Sequence, residues 1–144
     1  IKLKHNPNKD LIKGKKVILV DDSIVRGTTA IKIIEMVREA EAAEVHMKIS
    51  SPPIKFPDYY GIDTPKQQEL MASNHTVQQM EKKLKLDSLS FLSIKGLYKS
   101  MGFDDRNNKN PQFTDHCFTG DYPTELTDKD EGILSSQLSL LSDN

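Results

Sequence analysis

The chain has 144 residues, with Lys plus Arg at 20 against Asp plus Glu at 21, and one cysteine, Cys117. That length suits a single ordinary domain, and the near-zero net charge gives no electrostatic footprint for nucleic acid. One cysteine excludes an internal disulfide, a four-cysteine zinc site and a self-contained iron–sulfur site. No apolar run approaches the ~18 residues of a membrane helix. Residues 1–9 are polar, with no signal-peptide core behind them, so no membrane partner and a cytoplasmic location are expected. The first residue is Ile1 rather than Met, which leads us to expect a piece of a longer protein or a processed chain.

In chain order, residues 17–20 (Val-Ile-Leu-Val) are a continuous apolar run and predict a strand buried on both faces of a parallel sheet. Residues 21–28 read as a loop. From Thr29 the period changes: Ala30, Ile33, Ile34, Val37 and Ala40 share one helical face, with Lys32, Glu35, Arg38 and Glu39 opposite. Thr28 or Thr29 is the expected N-cap. Glu41 stands where a helix-ending glycine would be more comfortable. Residues 45–49 alternate and predict the next strand. Strand, helix and strand make a βαβ unit, which implies α/β architecture.

Pro52, Pro53 and Pro57 then interrupt regular structure. Short helices are predicted over 67–72 and 75–84, the second with Thr76 near its start and Val77, Met80 and Leu84 on one side. A strand follows at 89–92, then a helix at 94–101 stopped by Gly102. Residues 104–111 are a polar breaker cluster and read as a loop. Residues 127–144 carry no usable periodicity and are expected to be a disordered tail.

The chemistry concentrates at the end of the first strand. A buried strand leads into Asp21 and Asp22, then a small Gly-containing loop, then a helix start. In a parallel sheet, ligands sit beyond the carboxyl ends of the strands. Amides at a helix start, backed by its dipole, suit a phosphate. Gly27 lets the backbone close on the anion, and Ser23, Thr28 and Thr29 offer hydroxyls. Carboxylates would repel a bare phosphate; they suit sugar hydroxyls or Mg²⁺ held with water and ligand oxygens. The combination points to a phosphorylated sugar.

Residues 17–29, Val-Ile-Leu-Val-Asp-Asp-Ser-Ile-Val-Arg-Gly-Thr-Thr, resemble the phosphoribosyl-pyrophosphate signature of type I phosphoribosyltransferases. The variant from Val20 to Thr29 resembles the form found in the amidophosphoribosyltransferase family. Ser50-Ser-Pro-Pro-Ile, Tyr60-Gly-Ile-Asp, Glu69-Leu-Met-Ala-Ser, Leu89-Ser-Phe-Leu-Ser and Cys117-Phe-Thr-Gly-Asp-Tyr-Pro-Thr-Glu resemble its carboxyl-terminal portion. The resemblance covers residues 1–126. It implies a Rossmann-like type I phosphoribosyltransferase sheet, incomplete at the N-terminus. Residues 1–103 would be the C-terminal part of that domain and 104–126 a loop and extension.

By this resemblance, Asp21 and Asp22 would contact the ribose hydroxyls and Mg²⁺. Ser23, Val25, Arg26, Gly27, Thr28 and Thr29 would complete the substrate site, with Val25 to Thr29 wrapping the 5′-phosphate. No catalytic residue is singled out. Many relatives carry an acid at the position of Val25, where it serves as a base for ring-nitrogen nucleophiles; ammonia needs none. The implied reaction displaces pyrophosphate from phosphoribosyl pyrophosphate with glutamine-derived ammonia, giving 5-phosphoribosylamine, the first committed step of purine biosynthesis. The glutaminase domain would lie N-terminal to this chain, the full-length enzyme would be a homo-oligomer, and the fragment alone would be inactive.

Some members of the family hold an iron–sulfur cluster. The corresponding positions here, Asp58, Pro111 and Thr114, are not thiolates, so no cluster is expected. Cys117 is expected to be a buried small apolar residue. His5, His46, His75 and His116 lack metal-ligand spacing and read as structural or exposed, and Lys13, Lys15 and Lys16 as a solvated edge. One alternative is a non-catalytic phosphoribosyl-binding regulatory domain, which would be expected to bring a DNA-binding module or basic patch. Another is a receiver domain, which needs an acceptor aspartate at the end of a later strand; here residues 45–49 end in Ser50-Ser51-Pro52.

Overall fold

The computed structural model describes residues 7–126. Residues 1–6 and 127–144, with His5 and the expected tail, lie outside the described residues. In chain order the elements are α1 (Lys9–Ile12), β1 (Lys16–Asp21), α2 (Thr28–Glu39), β2 (Glu44–Ile49), a 3₁₀ turn (Gln67–Glu69), α3 (Met71–Asn74), α4 (Val77–Leu84), β3 (Ser88–Phe91), α5 (Ile94–Ser100) and α6 (His116–Thr119). No helix among the described residues is long and apolar enough to cross a membrane.

The three strands form one parallel sheet in the order β1-β2-β3. Val17 lies opposite Val45 and Asp21 opposite Ile49; Met47 lies opposite Leu89. Alternation buries Val45, Met47 and Ile49 on one face of β2. Ala30, Ile34 and Val37 of α2 and Met80 and Leu84 of α4 join them in the core, with Leu89 of β3. Each fully buried aliphatic side chain contributes about 1.5–3 kcal/mol. This layer fixes the end of β1 against the start of α2.

Several expectations are corrected. The strand at 17–20 is not buried on both faces: Ile18 is 62% and Val20 75% exposed. Residues 16–21 form an edge strand whose second face is covered by nothing among the described residues. Neither Thr28 nor Thr29 caps α2. The N-cap is Gly27, in the left-handed region at φ 78°, with no side-chain cap. Met36 rather than Ile33 completes the buried face, because the helix packs rotated toward Met36. The helix expected at 67–72 is a 3₁₀ turn followed by a single α turn. Two one-turn helices, α1 and α6, carry too few residues to show a period.

Local chemistry explains the other boundaries. The Thr76 hydroxyl accepts from the Gln79 amide, and the Gln79 side chain accepts from the Thr76 amide, a reciprocal cap that starts α4. Glu41 adopts φ 64° without being glycine. Its carboxylate sits between the ammonium groups of Lys9 and Lys13, the latter at 2.8 Å, and its carbonyl accepts from the Gly14 amide. Hydrogen bonds from Lys13 and then Lys9 hold the Glu41 carboxyl down at about 2. Lys16 likewise pairs with Glu44.

Residues 104–126 are fastened by buried polar groups. The Arg106 guanidinium donates to both carboxylate oxygens of Asp115, at 2.7 and 3.1 Å, and to Asp121 at 2.6 Å. The Tyr98 hydroxyl of α5 donates to Asp115 at 2.8 Å. Burial opposes the charge on Asp115, but Arg106, Tyr98 and Thr119 outweigh it and hold the carboxyl below its ordinary range. Nearby, the His116 ring meets Asp58 at 2.7 Å, with Tyr122 stacked on it and Tyr60 edge-on. Cys117, expected to be buried, is only partly so; its carbonyl takes the Lys55 and Phe56 amides.

Candidate functional site

β1 delivers Asp21 to the carboxyl edge of the sheet, and the chain turns over residues 22–27 into α2. Ile24, 2% exposed, roots this turn in the core. Gly27 ends the turn at φ 78°, and a Cβ there would lie 2.6 Å from the Met71 sulfur. Glycine is therefore required for both its backbone freedom and its lack of a side chain.

Asp21, Asp22, Ser23, Val25, Arg26, Gly27, Thr28 and Thr29 all line one cavity of about 340 Å³, with Ile24 and Ala30. The amide of Asp22 donates to the Asp21 carboxylate at 3.0 Å. From Ser23 to Ala30 the amides find no acceptor among the described residues, and Ile31 is the first to bond back, to the Gly27 carbonyl at 2.9 Å. Consecutive unpaired amides at a helix start form a concavity of partial positive charge. Asp21 and Asp22 line the same cavity.

Not every expected donor is free. The Ser23 hydroxyl donates to Asp22 at 3.2 Å. The Arg26 guanidinium is engaged by Glu69, with its Nε and Nη2 each 2.8 Å from one carboxylate oxygen. The Asp21 carbonyl accepts from the Ser50 amide and hydroxyl, tying the end of β1 to the end of β2. Among the described residues no group of three or more His, Cys, Asp or Glu side chains is placed to hold a metal. Asp21 and Asp22 are two carboxylates; a cation there would take its other ligands from water and substrate oxygens.

Sequence reasoning missed Ile24, Glu69 and Met71. Ile24 carried a readable signal, a lone apolar residue inside a polar turn. Glu69 and Met71 did not, since their role arises only when a segment more than forty residues away folds against the turn.

No family model matches the chain. The chain is 56% identical over 145 residues to the amidophosphoribosyltransferase of Rhizobium etli, an alignment covering 100% of this chain and 29% of that protein. It is 49% identical over 128 residues to the amidophosphoribosyltransferase of Bacillus subtilis, covering 88% of this chain and 26% of the relative. The solved structure of glutamine phosphoribosylpyrophosphate amidotransferase from B. subtilis, complexed with ADP and GMP, superposes with a TM-score of 0.75 at 50% identity. That superposition covers 84% of this chain and 26% of the other. The chain thus spans less than a third of the length of these relatives. On this identity, and on its three-stranded parallel sheet, the chain belongs to the amidophosphoribosyltransferase family and has a type I phosphoribosyltransferase fold.

Proposed function

We propose that the cavity beyond β1 binds the phosphoribosyl group of phosphoribosyl pyrophosphate, and that the chain is the C-terminal part of an amidophosphoribosyltransferase acting in purine biosynthesis. The observation that carries this is the run of amides from Ser23 to Ala30 that find no acceptor among the described residues, in the turn that lines one cavity with Asp21 and Asp22. The amides and the α2 N-terminus take the 5′-phosphate, with Thr28 and Thr29 beside it. Asp21 and Asp22 take the ribose hydroxyls and Mg²⁺, whose chemistry when bound is to neutralise the pyrophosphate leaving group.

In the full-length enzyme, ammonia released by a glutaminase domain outside this chain would attack the anomeric carbon with its lone pair. The bond from that carbon to pyrophosphate oxygen breaks, pyrophosphate departs with the electron pair, and the new amine loses a proton. Val25 offers no base, and ammonia requires none. The residues here act by orienting the sugar and holding its phosphate, so the acceleration they supply is positional and electrostatic.

The test is calorimetric titration of the chain with ribose 5-phosphate, with and without Mg²⁺. The paired substitution Asp21→Asn and Asp22→Asn should abolish the Mg²⁺-dependent component and weaken sugar binding by about tenfold or more. Affinity equal to that of the unsubstituted chain would remove the carboxylates from the site.

A further inference from the structure

A turn whose eight successive amides, Ser23 to Ala30, find no acceptor among the described residues has no amide hydrogen bonds of its own to define it. Neighbouring N–H dipoles left without acceptors repel one another, and fixing each backbone residue costs conformational entropy. Something outside the turn must hold it. Three consecutive residues of the turn are gripped by one remote segment. The Val25 carbonyl accepts from the Met71 amide at 2.8 Å. The Arg26 Nε donates to Glu69 Oε2 at 2.8 Å, and its Nη2 lies 2.8 Å from the same oxygen. Gly27 sits directly on the Met71 sulfur.

That segment is itself rigid. The 3₁₀ turn is closed by the Glu69 amide to the Lys66 carbonyl and the Leu70 amide to the Gln67 carbonyl. Leu70 is 0% exposed. The Asn74 side chain donates to the Gln68 and Leu70 carbonyls, both at 2.9 Å.

We propose that Glu69 is a positioning residue for the anion cradle: by holding Arg26 it splints residues 25–27 so that their amides stay open to a phosphate. The proposal deepens the phosphate reading of the cavity and rests on it. Its content is specific to Arg26. The resemblance places Arg26 in the substrate site; in the structure its charge is already matched by Glu69, so it works through the backbone it carries. Both side chains of the pair are about half exposed, and exposed pairs add little to global stability. Loss of Glu69 should therefore appear in ligand affinity and not in melting temperature.

The experiment titrates the 144-residue chain, Glu69→Ala and Glu69→Asp with ribose 5-phosphate, and records thermal melts of all three. We expect Glu69→Ala to bind about tenfold more weakly, and Glu69→Asp, which restores the carboxylate, to return within about threefold of the parent. The melts should coincide. Unchanged affinity in Glu69→Ala overturns the proposal. So does tighter binding, which would mean that a released guanidinium moves onto the phosphate. Equal weakening by both variants with a lowered melting temperature also overturns it, since that is the pattern of a merely structural residue. No binding by the unsubstituted chain refutes the phosphate reading itself, and the splint with it. Binding by the parent that Glu69→Ala retains refutes the splint alone.

Discussion

Gly27→Ala puts the geometry of the turn to a quantitative test. A residue with a Cβ at φ 78° pays about 1–2 kcal/mol in the left-handed region. The new methyl would also lie 2.6 Å from the Met71 sulfur, with the Leu84 methyl at 3.6 Å. Met71 is 4% exposed, so it must leave its rotamer or push its neighbours, at about 1–3 kcal/mol. Alanine lowers the entropy of the unfolded chain and returns about 0.4–1 kcal/mol. The net expectation is a loss of about 1.5–4 kcal/mol, a fall of roughly 5–15 °C in melting temperature.

The matched control is Gly14→Ala. Gly14 has φ 70°, but a Cβ there would meet nothing within 4 Å. It carries the backbone penalty alone, so its loss should be smaller by the Met71 contribution. Urea unfolding followed by circular dichroism reads both, and ribose 5-phosphate titration reads the cradle. Adding Met71→Ala to Gly27→Ala should cost less than the sum of the single substitutions, because the space the methyl needs has been cleared. Equal losses at Gly14 and Gly27, or strict additivity in the double variant, would refute the claim that Met71 packs against the turn.

Other perturbations separate the remaining interactions. Arg106→Ala leaves Asp115, 3% exposed, buried without its cation; the expected cost is about 3–5 kcal/mol by urea unfolding, with faster proteolysis within residues 104–126. Acid should loosen the same region. Burial opposes the charge on both Asp58 and Asp115, but their hydrogen bonds outweigh it: the Tyr60 and Ile62 amides and His116 for Asp58, and Arg106, Tyr98 and Thr119 for Asp115. Both carboxyls are thus held below the ordinary range. Depressed carboxyls give stability that is present above about pH 4 and lost as pH falls through their folded values. Melts followed by tyrosine fluorescence should drop as pH falls below about 4, and Asp115→Asn should flatten that drop. Glu41→Gly relieves the positive φ but gives up the pairs with Lys9 and Lys13. The variant should melt higher than the parent in strong salt, where those pairs are screened, and gain less in dilute buffer.

Much of this was legible in the residues, for identifiable reasons. The alternation of β2 and the Thr76 cap are local signals that the structure follows, and the period of α2 is followed except that Met36 replaces Ile33 on the buried face. The turn after β1 was legible because strand, acids, glycine and helix occur in an order that few other folds use. What failed was nonlocal. The run at 17–20 looks like a central strand because Ile18 and Val20 are apolar, but exposure is decided by what lies alongside. Thr28 and Thr29 are good capping residues by type, yet the cap position falls one residue earlier, where Gly27 must pass over Met71. The pairing of Arg26 with Glu69 left no local sign, because the two are 43 residues apart in sequence. The pairing of Asp58 with His116 was invisible for the same reason.

The outer margin of β1 has a practical corollary. Among the described residues β1 ends the sheet, so its outer amides and carbonyls have no strand partner there, and it carries two greasy side chains turned toward water. Such a margin is a template on which another extended segment can crystallise its own backbone, and concentration drives that reaction. Handling this chain in the test tube therefore calls for dilute solutions or a gatekeeping lysine in place of Val20, which is largely exposed and outside the core.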